Sequence, residues 1–323
     1  MQASMDRRRF LRESALAAAA GLGCLTAGQP GQARADKGTE MLPIVDTHQH
    51  LWDLDKFRLP WTQKGSVLAR SYTVEDYRQA TEGLNIVKAI YMEVDLDPSQ
   101  QQAEADYVID LCRRGTTPTV AGVISGRPAS DGFKKYITPF KGNRYIKGLR
   151  QVLHNKDIPA GYCLDRKFIQ GIQLLGDLGL RFDICMRSGE LADAVQLIDA
   201  CPGTSFILDH CGNGDVQAKD RTQWKRDMEA ITRRKNVVGK VSGILASARP
   251  GQWTADDLAP IINHTLAVFG PERVMFGGDW PVCTLTGSYK QWVEALRSIV
   301  QERPEQERRK LFNDNAIRLY ELT

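Results

Sequence analysis

Short β-branched and apolar runs alternate along the chain with longer stretches whose apolar positions recur every three or four residues. The first pattern reads as buried strands and the second as amphipathic helices, and their alternation is what a parallel sheet wrapped by helices requires. Strand-like runs fall at 44–50, 86–94, 119–125, 145–153, 181–187, 205–210, 237–243 and 274–279. Helical patterns lie between them at 74–82, 100–114, 132–140, 166–177, 190–200, 224–235 and 255–269, and two more close the chain at 289–301 and 305–321. Eight strand–helix units predict an α/β fold, a single (β/α)8 TIM barrel, for which roughly 250 residues is typical. A doubly wound open sheet would carry a glycine-rich phosphate loop after its first strand, and His48-Gln49-His50 stands there instead. The stretch 52–72, with Phe57, Pro60 and Trp61, reads as a long loop over the barrel mouth, although a buried aromatic cluster would explain it equally well.

The front of the chain breaks this pattern. Asp6-Arg7-Arg8-Arg9-Phe10-Leu11-Arg12 is followed by a small-residue run from 14 to 28 and by Ala33-Arg34-Ala35, an A-x-A cleavage site. This resembles a twin-arginine export signal and divides the chain into a signal over 1–35 and one barrel domain over 36–323. It implies a periplasmic or otherwise exported protein. The apolar run is shorter than the roughly 20 residues a membrane span needs.

Of 43 basic and 39 acidic side chains, most of the basic excess sits in that front segment (Arg7, Arg8, Arg9, Arg12 and Arg34 against Asp6 and Glu13). The body is nearly neutral, which argues against a nucleic-acid or membrane-surface protein and leaves a small-molecule substrate as the expected partner. Six cysteines follow the signal, with no paired CxxC spacing, and read as buried free thiols.

Barrel chemistry gathers at the C-terminal strand ends. The first run ends in Asp46-Thr47-His48-Gln49-His50, whose i, i+2 spacing aims both imidazoles at one face. The sixth ends in Leu208-Asp209-His210 and the eighth in Gly277-Gly278-Asp279-Trp280. Three of the five histidines thus converge with one carboxylate, a donor set suited to one zinc ion with room for a water: His48, His50, His210 and Asp279. Arg150, Arg187, Lys240 and His154 are expected to crowd the mouth with donors, Trp52 and Trp280 to stack on a ring or seal the top, and Glu93 to orient a ligand. Cys185 reads as core rather than as a substitute ligand.

"IVDTHQHLWD" (44–53), "IKGLRQVLHN" (146–155), "RFDICMR" (181–187), "FILDHCGN" (206–213), "VVGKVSGI" (237–244) and "VMFGGDWPVC" (274–283) together resemble the amidohydrolase superfamily, in its sugar-lactonase and pyrone-dicarboxylate-lactonase branch. The resemblance implies a hydrolase that opens a sugar-acid or dicarboxylate lactone, with His48, His50, His210 and Asp279 as its catalytic constellation and Arg150 and His154 touching substrate. Strand 4 offers Lys147 and Arg150 and strand 5 offers Asp183, Cys185 and Arg187, where binuclear members have a bridging Lys or Glu and a His. One divalent metal, zinc, is therefore expected rather than two, and it need not be essential. Asp279 is the expected general base. A decarboxylase of the same superfamily and a non-catalytic periplasmic binder are the rival readings.

Overall fold

The computed structural model describes residues 41–322. The export signal expected over 1–35 lies outside the described residues. Eight parallel strands follow one another around the sheet in chain order: β1 (Ile44–Gln49), β2 (Ile86–Met92), β3 (Thr119–Ser125), β4 (Ile146–Val152), β5 (Arg181–Cys185), β6 (Phe206–Leu208), β7 (Val237–Val241) and β8 (Val274–Phe276). The ring closes where Gln49 bridges Trp280 in parallel and the Asp279 N–H donates to the His48 carbonyl at 2.8 Å. This is the (β/α)8 barrel that the alternation predicts.

The helices form where amphipathic spacing and caps agree. Arg166–Asp177 starts at Asp165, whose carboxylate accepts from the Lys167 and Phe168 N–H groups, and it turns Phe168, Ile172 and Leu175 into the core. Tyr289–Ile299 opens with a reciprocal Ser288–Gln291 capping box and buries Trp292, Val293 and Leu296. The final helical pattern is interrupted: Glu305–Arg309 and Asn315–Leu319 flank a π turn over Lys310–Asp314, and buried Asn315 donates to the Pro271 and Val274 carbonyls.

Ile90 and Met92 of β2, Ala121 and Val123 of β3, Ile207 of β6 and Met275 of β8 pack with Tyr320 into a cluster of their own. Strands from opposite sides of the ring meet only through its interior, so this cluster is the barrel's apolar filling. The six described cysteines are free and buried, as expected.

β6 and β8 are shorter than their apolar runs. They end at Leu208 and Phe276, so His210 and Asp279 belong to the turns that follow.

Candidate active site

β1 carries the first two functional rings and the anchor that holds them. The buried carboxylate of Asp46 accepts from the His48 and Gly278 N–H groups at 2.9 and 2.7 Å and from the Tyr77 and Tyr289 hydroxyls at 2.8 and 2.9 Å. Four donors on one carboxylate tie the end of β1 to the turn after β8. A Cβ at Gly278 would lie 2.3 Å from the Tyr289 ring and 2.6 Å from the Asp46 carboxylate, so this approach requires glycine.

Left-handed backbone aims the other two groups. Asp279 has φ 52°, and after β6 His210, Cys211, Gly212 and Asn213 all have positive φ. Such conformations cost roughly 1–2 kcal/mol per non-glycine residue, and the surroundings hold them: Trp224 donates to the Cys211 carbonyl and Asn213 to the Met186 carbonyl. The result brings His48 Nε2 and His50 Nε2 to 3.6 and 3.3 Å from Asp279 Oδ1, with the His210 and His48 ring centroids 4.5 Å apart.

Below these rings lies a buried charge network. Lys240 Nζ contacts Asp183 Oδ2 and Asp209 Oδ1 at 2.8 Å each, and Arg150 reaches Glu93 Oε1 at 2.6 Å and Asp209 Oδ2 at 3.3 Å. Burial works against the Lys240 charge, yet the two carboxylates outweigh it and raise its pKa. Burial pushes Asp183 up to about 7, whereas Asp209 is held well below its ordinary value because Lys240 and His48 overcome its burial. His48 is held neutral, chiefly by burial and in part by Lys240. Arg150 Nη1 and Lys240 Nζ flank its two nitrogens at 3.1 and 3.3 Å, and a neutral ring can accept from only one of them. His210 is also lowered by burial.

A cavity of about 290 Å³ opens above this cluster, lined among others by His50, Trp52, Arg150, His154, His210 and Asp279. Lys240, Glu93 and Arg187 do not take the places expected of them, and Trp280 takes the second of its two. Lys240 is fully buried because it neutralises Asp183 and Asp209. Trp280 is 2% exposed and packs against Tyr72 and Tyr77, so it seals rather than stacks on a ligand. Glu93 is fully buried and orients Arg150, not a ligand. Arg187 donates to Glu190 Oε1 and to the Asn155 and Ile158 carbonyls, and lines an adjoining cavity instead.

The donors fit a divalent ion. His50 Nδ1 faces the Met92 carbonyl at 3.0 Å and so donates there, which turns Nε2 toward Asp279. His210 Nδ1 is likewise engaged by Ser242 Oγ at 2.9 Å. Atoms of His48, His210 and Asp279 lie within 4.8 Å of one another, and so do atoms of Cys185, Asp209 and His210. His50 joins the first group only through its contact with Asp279. The Arg150 guanidinium is a resident cation at its edge.

The sequence pattern of the amidohydrolase family matches residues 45–322. The chain belongs to the amidohydrolase family. It is similar to the L-fucono-1,5-lactonase of Burkholderia multivorans, with 25% identity over 86% of this chain and 96% of that protein. It is also similar to the L-rhamnono-gamma-lactonase of Scheffersomyces stipitis, with 24% identity over 86% of this chain and 98% of that protein. An amidohydrolase structure from Burkholderia multivorans with bound zinc shares the fold, with a TM-score of 0.77 and 24% identity over 87% of this chain and all of the other.

Sequence reasoning did not single out several residues that shape this amidohydrolase site. Asp46, Asp209 and Ser242 each stand within two residues of a highlighted group, and their roles as anchor, counter-ion and imidazole partner appear only in three dimensions. Asp95 is another: with φ 46° it accepts from Asn155 at 2.7 Å and from Arg127 at 3.1 Å on the cavity wall.

Proposed function

We propose that this amidohydrolase opens a lactone by adding water to its ring ester, with Asp279 as general base. The observation that carries the reading is the meeting of His48 and His50 Nε2 on Asp279 Oδ1 beside a cavity at the strand ends. The lactonase names of two relatives support it.

Asp279 takes a proton from a water as the water oxygen bonds to the ester carbonyl carbon. Arg150 faces the oxyanion that develops, and its guanidinium is fixed in advance by Glu93. The tetrahedral intermediate then breaks the ring C–O bond, and Asp279 returns its proton to the leaving alkoxide, giving a hydroxy acid. Zinc, held by His48, His50, His210 and Asp279, would polarise the carbonyl and lower the pKa of a bound water to about 7.

The test is acid release in a pH-indicator assay with the chain from Asp36 against aldonolactones and dicarboxylate lactones, with added zinc and with chelator. Acid release that Asp279→Asn abolishes supports the reading, and the chelator arm reads the metal requirement. Folded protein that opens no lactone and instead releases CO2 from a carboxylate substrate overturns it.

We propose also that residues 1–35 direct export, on the Arg8-Arg9 pair ahead of Phe10-Leu11 and the Ala33-Arg34-Ala35 site. A reporter fused after residue 40 should reach the periplasm with Asp36 as its new N-terminus, and Arg8→Lys with Arg9→Lys should retain it in the cytoplasm. Equal export of both forms counts against the signal.

A further inference from the structure

We infer that the substrate is an uncharged lactone bearing an apolar substituent, and that a lactone carrying a ring carboxylate is excluded. The inference rests on the lactone-opening reading and decides between the neutral and dicarboxylate classes that it leaves open.

The side chains around the cavity hold no cation to spare for a second anionic group. Arg150 is the one Arg or Lys among the described residues that line this cavity, and its charge is shared among Glu93, Asp209 and the oxygen of the reacting ester. Its Nε donates to Glu93 Oε1, its Nη2 to the Glu93 carbonyl at 2.9 Å and its Nη1 toward Asp209. The acidic side chains on the wall are Asp95 and Asp279, and Asp95 is already paired with Arg127. Lys240 is locked between Asp183 and Asp209, and Arg187 is spent on Glu190 and two carbonyls. A second carboxylate on the substrate would shed its water and meet no free cation in return.

Much of the remaining wall is apolar, beside the histidines and the Asn155 and Asn213 amides, which donate to Asp95 and to the Met186 carbonyl. Trp52, Trp61 and Leu68 come from the long loop after β1, Val94 follows β2, and Val282 and Leu285 follow β8. Each indole has a single N–H donor, and both are already used on backbone carbonyls: Trp52 Nε1 donates to the Arg70 carbonyl and Trp61 Nε1 to the Val94 carbonyl. The half-buried Trp61 ring, backed by the buried Trp52 ring 5.7 Å away, therefore offers apolar surface only, which rewards an alkyl or aryl group and gives a carboxylate no hydrogen bond.

A matched pair tests this: a six-membered lactone with an alkyl chain on the carbon beside the ring oxygen, and the same ring with a carboxylate there. The alkyl compound should be favoured in kcat/KM by about 100-fold or more. Leu285→Lys, at a side chain 41% exposed on the rim, should narrow that ratio at least tenfold by supplying the missing cation. Equal or better turnover of the carboxylated ring overturns the inference while leaving the lactonase reading intact. If neither ring opens, the lactonase reading fails, and calorimetric binding of the matching carbonyl-free cyclic ethers still decides the class. Binding of the alkyl ether alone supports it, and tighter or equal binding of the carboxylated one overturns it.

Discussion

The Lys240 ammonium lies 2.8 Å from Asp209 Oδ1 with both side chains fully buried, in contact with the His48 ring. Asp183 completes the cluster at 2.8 Å. Removing the cation takes the ion-pair partner from buried Asp183 and leaves Asp209 with Arg150 at 3.3 Å, and breaking a buried pair this way typically costs about 3–5 kcal/mol. Lys240→Met should lose that much stability in urea unfolding, and adding Asp183→Asn should restore part of it. A single variant as stable as the parent would mean that the network does not brace the barrel.

The barrel and the four central residues were legible because the strand period persists and the polar residues that follow each apolar run stay at the C-terminal side of the barrel, although His210 and Asp279 lie in the turns just past β6 and β8. His48, His50, His210 and Asp279 stand together as their places in the pattern predict. The fate of the outer charges was not legible. Lys240 sits one residue beyond Gly239 on β7, and nothing local says whether such a side chain points inward to Asp183 or upward to solvent. Arg187 and Trp280 were likewise claimed by partners remote in sequence or set by loop geometry. The left-handed turn at His210–Asn213 has glycine at one of its four positions, so composition alone does not announce it.

Gly243 makes room for one of the central rings. It has φ 62°, and a Cβ there would lie 2.1 Å from His210 Nδ1, the atom that faces Ser242. Gly243→Ala combines a strained backbone with a clash that displaces the ring. Lactone turnover should fall about 100-fold or more, as misplacement of a catalytic group by an ångström does. Activity within twofold of the parent would show that His210 need not hold this position.

The buried thiols set a pH dependence on the alkaline side. Burial pushes Cys112, Cys163, Cys185 and Cys211 up to about 12. In the unfolded chain a thiol ionises near 8.5, so above that pH the unfolded state loses protons that the folded state keeps. This contribution is complete below about pH 8.5 and is lost as pH rises toward 12. Urea midpoints should be lower at pH 10 than at pH 7.5, and an aromatic disulfide reagent at pH 8 should label these thiols only as the protein unfolds. Rapid labelling of the native protein would contradict the burial.

Glu93 connects the charge network to the choice of substrate. Its side chain accepts from Arg150 at 2.6 Å and from the Asp95 N–H at 2.7 Å, and its burial raises its pKa although Arg150 opposes the shift. Glu93→Gln keeps the shape but removes the charge that Arg150 answers, leaving Asp209 at 3.3 Å as its remaining carboxylate. Turnover of neutral lactones should fall about 10- to 100-fold, the usual result of loosening a group that orients another. The same change partly frees the guanidinium on the cavity wall, so the ratio of carboxylated to alkyl lactone in kcat/KM should rise even as both rates drop. Mere structural damage would lower both rates together. A ratio that stays fixed in Glu93→Gln would mean that the commitment of Arg150 to Glu93 is not what keeps anions out.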